Sequence, residues 1–341
     1  METMGQPAVR PDRIMQMAWG YAPPLIIETA VRNRVFDLLD EGPKTVEQVA
    51  ELSGASVRGL RAIMNALTAF QLLSKDAGGR YATTPESSTF LVKSKPSFMG
   101  GIIEHTSTQL IPGWLALNNI VRTGKPEHGV NEENTGSEFF QQFVEAIFPM
   151  SYAAASRLAD VLDVASAAQP VSVLDLAAGS GVWSIALAQR SPQVSVTAVD
   201  WPGVLEVTRR VATRFGVAGR YTFVAGDLAT ADFGTGHNIA VLGHILHSEG
   251  ERRSRELLRK TFRALAPGGT IAIQEFLVDE ERSTNTMGLI FAVNMLTMTQ
   301  EGDTFSFTEI AGWLRDAGFE NPRTVESPGP SPLILADRPR G

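Results

Sequence analysis

The second half of the chain alternates short apolar runs with longer stretches of helical character. Strands that alternate with helices in this way are typical of a doubly wound α/β domain with a parallel sheet. The predicted strands are Val171–Leu176, Val194–Asp200, Tyr221–Asp227, Asn238–His244 and Thr270–Phe276. The segment Ala266-Pro267-Gly268-Gly269 is predicted as the turn into the fifth strand. Two further runs, Arg323–Ser327 and Leu333–Asp337, flank Gly329-Pro330 and predict a terminal hairpin at one sheet edge.

The first third of the chain has helical periodicity. Apolar residues recur at helical spacing over 24–42, and Gly42-Pro43 predicts the end of that helix. Thr45-x-x-Gln48 is a capping-box signature that starts a second helix, Val46–Leu52. A third helix is predicted from Ser56 to Leu72, followed by a hairpin turn at 75–80. Helix, turn, helix and hairpin is the order of a winged-helix module.

A winged-helix module can serve DNA binding or dimerisation. The candidate recognition helix offers only Arg58, Arg61 and Asn65 to a DNA groove. Residues 44–72 hold three basic and two acidic side chains, which is too little positive charge for a phosphate-binding surface. We therefore favour dimerisation and expect no nucleic-acid partner.

The segment between these two parts reads as helices rich in Phe, Ile, Leu and Met, interrupted by a loop at Gly124-Lys125-Pro126. An apolar cluster within it is either core packing or the wall of an apolar substrate pocket. We expect three parts: a dimerisation domain over 1–97, connecting helices over 98–165 and a Rossmann-like catalytic domain over 166–341. The cluster consists of Phe139, Phe140, Phe143, Ile147, Phe148 and Met150.

The stretch Val171–Asp200 carries the strongest functional signal. A predicted strand contains Asp175, a small-residue turn contains Gly179 and Gly181, and a helix and second strand end at Asp200. Glycines let a ligand approach the backbone, because no Cβ intervenes. An acid at the end of the second strand can accept both hydroxyls of a ribose. The unit therefore predicts a bound nucleoside.

Composition narrows the class of protein further. The 341 residues are 43% hydrophobic and 20% charged, with a net charge of −7, which is ordinary for a soluble globular protein and gives no sign of a nucleic-acid partner. The absence of cysteine excludes disulfides and thiolate chemistry. The N-terminus lacks the apolar core of a signal peptide, and no apolar run approaches membrane-spanning length. We expect a cytoplasmic protein with no membrane partner.

The form D-x-x-x-G-x-G resembles motif I of class I S-adenosylmethionine-dependent methyltransferases. Ser184 stands where a dinucleotide fingerprint has its third glycine, which disfavours a nicotinamide-dependent oxidoreductase. Together the segments resemble, over nearly the whole chain, the small-molecule O-methyltransferase family of the plant caffeate and hydroxyindole enzymes. The resemblance implies a winged-helix homodimer, a Rossmann-like sheet ending in an antiparallel hairpin, and S-adenosylmethionine as cofactor. It also implies cofactor-binding roles for Asp175, Gly179, Gly181, Asp200, Trp201, Asp227 and Leu228.

The same resemblance implies a catalytic pair at the carboxyl edge of the sheet. His247 is implied as the general base that takes the proton of the acceptor hydroxyl, a role that suits histidine near neutral pH. Glu275 is implied as the acid that orients it. The family's second acid is missing: Thr304 or Phe305 stands at its position, and Asp303 is displaced from it. Ser248-Glu249 replaces an Asp-Trp pair, and Gly243 replaces a lysine.

The resemblance also bears on the acceptor. Four residues at helical spacing lie on the helix that lines the family's pocket, and with three residues of the connecting helices they indicate an aromatic or polycyclic small molecule. Methylation of carbon instead of oxygen, or a ligand-sensing DNA-binding regulator, remain alternatives. His244 and His247 without further carboxylates make a poor metal site, so no metal is expected. The predicted acceptor residues are Phe143, Ile147, Met150, Phe291, Asn294, Met295 and Met298.

Overall fold

The computed structural model describes residues 9–131, 133–329 and 331–340. The N-terminal residues 1–8, where no signal peptide was expected, lie outside this range, as do Glu132, Pro330 and Gly341. The chain forms two compact units, 1–109 and 110–341. The three-part functional division at 97 and 165 stays a prediction. Among the described residues, no helix has the length and apolar character needed to cross a membrane.

The first unit is mainly helical. Its helices pack around a core that includes Phe36, Met64 and Leu67. A two-stranded antiparallel hairpin follows the helices, and Tyr81 also bridges to Lys44. This is the predicted order of a winged-helix module. Its elements are α1 (Asp12–Ala18), α2 (Ala22–Arg32), α3 (Val35–Asp40), α4 (Val46–Ser53), α5 (Val57–Ala69), β1 (Leu73–Lys75), β2 (Tyr81–Thr83), α6 (Pro85–Phe90) and α7 (Gly100–His105).

The second unit begins with helices and continues as an α/β sandwich. The helices are α8 (Ile111–Trp114), α9 (Leu117–Thr123), α10 (Glu133–Phe143), α11 (Phe148–Val161), α12 (Val182–Arg190), α13 (Pro202–Arg214), α14 (Leu246–Ala264), α15 (Thr286–Met298) and α16 (Phe307–Ala317). The strands are β3 (Val171–Leu176), β4 (Val194–Asp200), β5 (Tyr221–Ala225), β6 (His237–Gly243), β7 (Leu265–Gln274), β8 (Glu320–Val325) and β9 (Leu333–Asp337).

These seven strands form one sheet in the order β5-β4-β3-β6-β7-β9-β8. The first five are parallel, and β9 and β8 pair antiparallel at one edge. The predicted α/β fold and terminal hairpin are therefore confirmed. The chain leaves β3 toward one edge and returns to β6 on its other side. Ligands bind at the carboxyl ends of strands where the order reverses in this way.

Of two local predictions for the first half of the chain, the capping box is confirmed and the long first helix is wrong. The capping box at Thr45 and Gln48 is present, and Gly54 ends α4 in a left-handed conformation, as expected for a C-terminal glycine. The single helix predicted over 24–42 is wrong. It divides into α2 and α3 because Arg34 has φ +57°, which a continuing α-helix does not allow.

Several predictions in the second half also need correction. The strand predicted over Tyr221–Asp227 ends at Ala225, the strand predicted over Asn238–His244 is His237–Gly243, and the run Arg323–Ser327 is replaced by Glu320–Val325. The turn predicted at Ala266-Pro267-Gly268-Gly269 lies inside β7, opposite a register shift of β6 between His237 and Ile239. Residues 275 and 276, predicted as the end of the fifth strand, follow β7 instead. The predicted strands Val171–Leu176, Val194–Asp200 and Leu333–Asp337 match the structure at both ends.

Candidate active site

The small-residue turn after β3 has the backbone that a close ligand contact requires. Gly179 and Gly181 have φ values of +55° and +75°, a region that side chains disfavour. A Cβ on Gly181 would also press on the Thr208 methyl group at 3.0 Å. The hydroxyl of Thr208 donates to the Gly179 carbonyl at 2.7 Å. Both glycines are therefore needed for the shape of the turn.

Asp200 joins this turn to the end of β4. Its Oδ2 accepts the N–H of Gly179 at 2.9 Å, and its Oδ1 accepts the N–H of Trp201 at 2.7 Å. Burial raises the pKa of Asp200 to about 6, although both backbone hydrogen bonds favour the ionised form. Each carboxylate oxygen has a further lone pair, so Asp200 is fixed in place and can still accept ribose hydroxyls.

Asp175 lies in the sheet below the turn and supports it from there. The hydroxyl of Ser184 donates to Asp175 Oδ2, and the phenol of Tyr221 donates to Ser184 at 3.0 Å. Burial raises the pKa of Asp175 to about 7. The Ser184 side chain therefore bonds the β3 acid, at the position where a dinucleotide motif has glycine.

The remaining predicted cofactor residues surround the same sheet edge. Asp227 follows β5 and accepts the N–H of Ala229 at 2.8 Å, so it caps its own turn. The carbonyl of Leu228 accepts Lys260 Nζ at 2.8 Å. Trp201 lies against α10, with its ring 6.0 Å from Phe140. These contacts fix the loops, and the adenine-binding roles stay predictions.

Residues at the turn fit S-adenosylmethionine. The two left-handed glycines leave the backbone open to the methionine part, and an oriented carboxylate at the end of β4 suits two hydroxyl donors of a ribose. Asp227 follows the carboxyl end of the neighbouring strand β5, and a carboxylate can accept from an amino group such as that of adenine. The chemistry of these groups therefore matches the predicted cofactor.

His247 and Glu275 form a buried pair at the carboxyl ends of β6 and β7. His247 Nδ1 lies 2.6 Å from Glu275 Oε2, and Oε1 accepts the N–H of Leu246 at 2.6 Å. Burial opposes the charge on Glu275, but the charge of His247 and its hydrogen bond outweigh burial, so the pKa of Glu275 is lowered. The carboxylate accepts from Nδ1, and Nε2 is therefore the basic nitrogen of the neutral ring.

Aromatic rings surround this pair. The ring of Phe291 lies 4.9 Å from His247 in an edge-on geometry and 4.1 Å from Phe276. On the same helix, Asn294 is buried and accepts Trp114 Nε1 at 2.9 Å. Met295 is buried and Met298 partly buried. Of the predicted acceptor residues, Phe291 thus lies beside the catalytic pair, and Phe276 and Trp114 join as residues the sequence did not single out.

The acceptor-binding residues predicted on the connecting helices, Phe143, Ile147 and Met150, have surroundings different from those of His247. Phe143 has ring contacts with Phe139 and Phe140 and packs against the main core cluster. Ile147 precedes α11 and is partly buried, whereas Met150 is 42% exposed. Nothing in these contacts brings the three residues to His247, so their acceptor-binding role stays a prediction.

The structure also shows the contacts of Asp303, the acid nearest in sequence to the position of the family's missing second acid. Asp303 pairs with Arg282 at 3.9 Å and accepts the N–H of Thr304, so its carboxylate points away from His247. Only its backbone N–H reaches the pair, donating to the His247 carbonyl at 2.9 Å. Glu275 is thus the acid that contacts the imidazole.

The structure also shows the surroundings of the two other departures from the family, Gly243 in place of a lysine and Ser248-Glu249 in place of an Asp-Trp pair. A Cβ on Gly243 would clash with the indole nitrogen of the buried Trp183, so tryptophan fills the space beside Gly243. Glu249 is buried and pairs with Arg253 at 2.5 Å, and Arg253 reaches Asp227 at 3.6 Å. The Trp183–Gly243 and Arg253–Asp227 contacts join separate elements and could not be identified from sequence, whereas Glu249 and Arg253 have the i,i+4 spacing of a helical ion pair.

A left-handed glycine turn linked to Asp200 and a buried His247–Glu275 pair, at one edge of a Rossmann-like sheet, are the arrangement expected of a class I methyltransferase. Comparison with known families agrees. The O-methyltransferase domain matches residues 114–320, and the O-methyltransferase dimerisation domain matches residues 15–93. The chain belongs to the O-methyltransferase family and is an enzyme of that class. S-adenosylmethionine as cofactor is confirmed at the level of the family.

Individual relatives match over nearly their full length. The 3-hydroxy-5-methyl-1-naphthoate 3-O-methyltransferase of Streptomyces sahachiroi is 29% identical over 95% of this chain and 94% of its own. The tetracenomycin polyketide synthesis 8-O-methyl transferase TcmO of Streptomyces glaucescens is 27% identical over 97% of each. A Nostoc punctiforme structure assigned as an O-methyltransferase has a TM-score of 0.89 at 28% identity, covering 97% of this chain and 100% of its own.

The human N-acetylserotonin methyltransferase in complex with S-adenosylmethionine is a further structural relative. Its TM-score is 0.86 at 24% identity, over 98% of this chain and 100% of that one. This likeness supports the fold of the whole chain.

Proposed function

We propose that this enzyme methylates a hydroxyl group of an aromatic or polycyclic small molecule, with His247 as general base. The observation that carries the proposal is the buried His247–Glu275 pair, which leaves Nε2 as the basic nitrogen at the sheet edge that also holds Asp200. S-adenosylmethionine, when bound there, supplies a methyl group activated by its positively charged sulfur.

The protein has little else to supply beyond alignment and removal of one proton. His247 Nε2 accepts the hydroxyl proton of the acceptor, and Nδ1 keeps its own proton toward Glu275. The imidazole becomes positively charged in this step, and the carboxylate at 2.6 Å stabilises that charge. Holding the two reactants in line supplies the larger share of the rate.

The surroundings of the base support a flat apolar acceptor. The ring centroids of Phe276 and Phe291 lie 4.1 Å apart beside His247, with the two rings tilted by 33°. Aromatic side chains in tilted and edge-on contacts suit a further aromatic ring. The names of the two Streptomyces relatives, a naphthoate and a polyketide methyltransferase, agree with that class. Met295 and Met298, on the same helix as Phe291, could adapt to an irregular outline.

We also propose that the chain acts as a homodimer through its first unit. The dimerisation-domain match covers 15–93. Within and beside that range, Ile14, Met17 and Trp19 on and after α1 are more than half exposed, and exposed apolar patches mark association surfaces. A Trp19→Glu variant that sediments as a monomer, beside a dimeric wild type, would support this assignment. A wild type that is monomeric at micromolar concentration would contradict it.

The proposed activity is tested with S-adenosylmethionine labelled in the methyl group and a panel of phenols, naphthols and hydroxyquinones. We expect label in an ether-linked methyl group, identified by mass and NMR spectroscopy of the product. Label on carbon would favour the C-methyltransferase alternative. Binding of S-adenosylhomocysteine without transfer to any acceptor, together with DNA retention at low salt, would favour the regulator.

A further inference from the structure

His244 has an unusual backbone conformation at the point where β6 ends. Its φ is +61°, in the left-handed region that costs energy for any residue other than glycine. Its N–H donates to the Gln274 carbonyl at 2.8 Å, which extends the pairing of β6 with β7 by one residue. The sheet therefore holds His244 in a strained conformation, and such strain is concentrated at functional sites.

The imidazole of His244 belongs to the aromatic group around His247. Its ring centroid lies 4.9 Å from Phe276 and 6.3 Å from His247. Its Nδ1 is buried and has no hydrogen-bond partner among the residues that the structure describes. Buried polar atoms in native proteins are nearly always satisfied. The Gln274 side chain interacts with the His244 ring, but Nδ1 has no hydrogen bond among the described residues, so it is available to a bound molecule.

His244 cannot share the base role of His247, because burial lowers the pKa of His244 to about 4. The ring is therefore neutral near pH 7. A neutral imidazole offers one N–H donor and one acceptor nitrogen. It can bind a hydroxyl oxygen without adding charge to the site.

A ring nitrogen of each histidine and one oxygen of Glu275 lie within 4.8 Å of one another. These are also donor types that a divalent cation uses. Here, however, Oε1 and Oε2 of Glu275 already accept from Leu246 and His247, so a cation would have to break that pair. Two neighbouring nitrogens, one on each histidine, instead suit two neighbouring oxygens of one organic molecule.

We propose that His244 is a positioning residue that hydrogen-bonds a second hydroxyl of the acceptor, next to the one that is methylated. The inference rests on the proposed function and narrows its substrate class to aromatic ortho-diols. Oxygens on adjacent ring carbons lie about one hydrogen-bond length, roughly 2.7 Å, apart. Ring nitrogens of the two histidines, one from each and within 4.8 Å of each other, are close enough to contact both at once.

The test compares two acceptors, the naphthalenediol with adjacent hydroxyls at the β positions and β-naphthol, which lacks one of them. Affinities are measured by titration of protein loaded with S-adenosylhomocysteine, and kcat and KM by methyl transfer. Two variants are used: His244→Phe keeps an aromatic ring, and His244→Asn tolerates the left-handed backbone. His128→Ala, at an exposed position, is the control.

We expect the wild type and His128→Ala to bind the diol about tenfold more tightly than the naphthol, as one additional hydrogen bond allows. Both His244 variants should reduce that preference to within about twofold, through the diol KM. Affinity for β-naphthol and S-adenosylhomocysteine should change by less than about threefold.

Three results would overturn the proposal: no diol preference in the wild type, an undiminished preference in both variants, or an equal loss on both acceptors. Loss of wild-type activity with EDTA and its return with Zn²⁺ would likewise replace it with a metal site. Because the affinities are measured without turnover, a lack of methyl transfer counts against the proposed function alone, and the binding preference still decides the role of His244.

Discussion

Asp200 and Glu275 are two carboxylates at the same edge of one sheet. Burial raises the pKa of both, yet their net pKa shifts have opposite directions. Each accepts backbone N–H groups. The pKa of Asp200 is raised to about 6, mainly by burial. The pKa of Glu275 is lowered despite burial, because it faces the charge and the N–H of His247. The difference lies in the hydrogen-bond partners. Asp200 accepts from the backbone dipoles of Gly179 and Trp201, whereas Glu275 contacts the imidazole of His247, which can become a cation.

This contrast separates binding from chemistry. Among the described residues Asp200 accepts only from backbone N–H groups, so we expect its remaining lone pairs to serve the donors of a ligand. Glu275 differs in that one of its oxygens contacts the His247 imidazole at 2.6 Å, so we expect it to act on a ligand through His247. Substitutions at the Asp200 end should therefore change cofactor affinity, and substitutions at the Glu275 end should change turnover.

Removal of the base should have the largest effect. For His247→Ala we expect methyl transfer to fall by about 10²–10⁴-fold, the usual contribution of a general base, with S-adenosylhomocysteine affinity unchanged. The loss should be smaller for more acidic hydroxyls, which need less help in losing the proton. His128→Ala is the control in steady-state assays. Wild-type turnover by His247→Ala on its true acceptor would rule out base catalysis by this residue.

Asp200→Ala should weaken S-adenosylhomocysteine binding by at least about 100-fold. Two charge-assisted hydrogen bonds to the ribose would be lost, each worth roughly 1.5–3 kcal/mol, and the turn would lose its link to β4 through Gly179. Isothermal titration measures the effect, with Asp160→Ala on the exposed end of α11 as control. An affinity within about threefold of wild type would show that Asp200 does not hold the ribose.

Glu275→Gln should lower kcat by about 10–100-fold, since hydrogen bonds to charged groups contribute roughly 1.5–3 kcal/mol. The amide oxygen can accept from Leu246 or from His247, but the amide nitrogen would then face the other donor. With the carboxylate charge gone, the acidic limb of the pH–rate profile should move to lower pH. Glu301→Gln is the control. If Glu275→Gln binds the cofactor as tightly as the wild type and this control do, the lower kcat reflects a slower methyl-transfer step. A loss of affinity with normal kcat would contradict the contrast with Asp200.

Much of this comparison could be predicted from the sequence, because its parts depend on local patterns. The strand ends at Leu176 and Asp200 follow from apolar runs that stop at a glycine turn or an acid. The glycines at 179 and 181 are required by the backbone of that turn. His247 and Glu275 were placed by resemblance to a family, and their 2.6 Å contact joins residues 28 positions apart.

The remainder depends on contacts between distant elements, which no local pattern encodes. The left-handed residues Arg34 and His244 carry no glycine or turn signal. The packing of Trp183 onto Gly243 and the turning of Asp303 toward Arg282 arise only when separate strands and loops meet. For the same reason Met150, apolar and well spaced in the sequence, is 42% exposed on its helix.

The smallest expected effect is a pH dependence of cofactor affinity that we assign to Asp200. The buried Asp175 below the same turn has a pKa of about 7 and is the neighbouring acid from which it must be distinguished. In the free protein the pKa of Asp200 is about 6, and the ionised form is the one that accepts two ribose hydroxyls. As the pH falls through 6, protonation competes with binding, so affinity for S-adenosylhomocysteine should fall by up to about tenfold for each further unit. Above pH 7 it should be constant. Titrations between pH 5 and 8 would measure this, with protein integrity followed by circular dichroism.

The Asp200→Ala and Glu275→Gln variants decide whether that dependence has the stated origin. Asp200→Ala should bind weakly and with a much smaller difference between pH 5 and pH 8, because the carboxylate that accepts the ribose hydroxyls is gone. Any dependence left in this variant would belong to Asp175. Glu275→Gln should keep the wild-type dependence of affinity, because the pKa of Glu275 is lowered and its protonation lies below this range. If Glu275→Gln removed the dependence and Asp200→Ala kept it, the titrating carboxylate would lie at the catalytic end. The separation of binding from chemistry between these two acids would then be wrong.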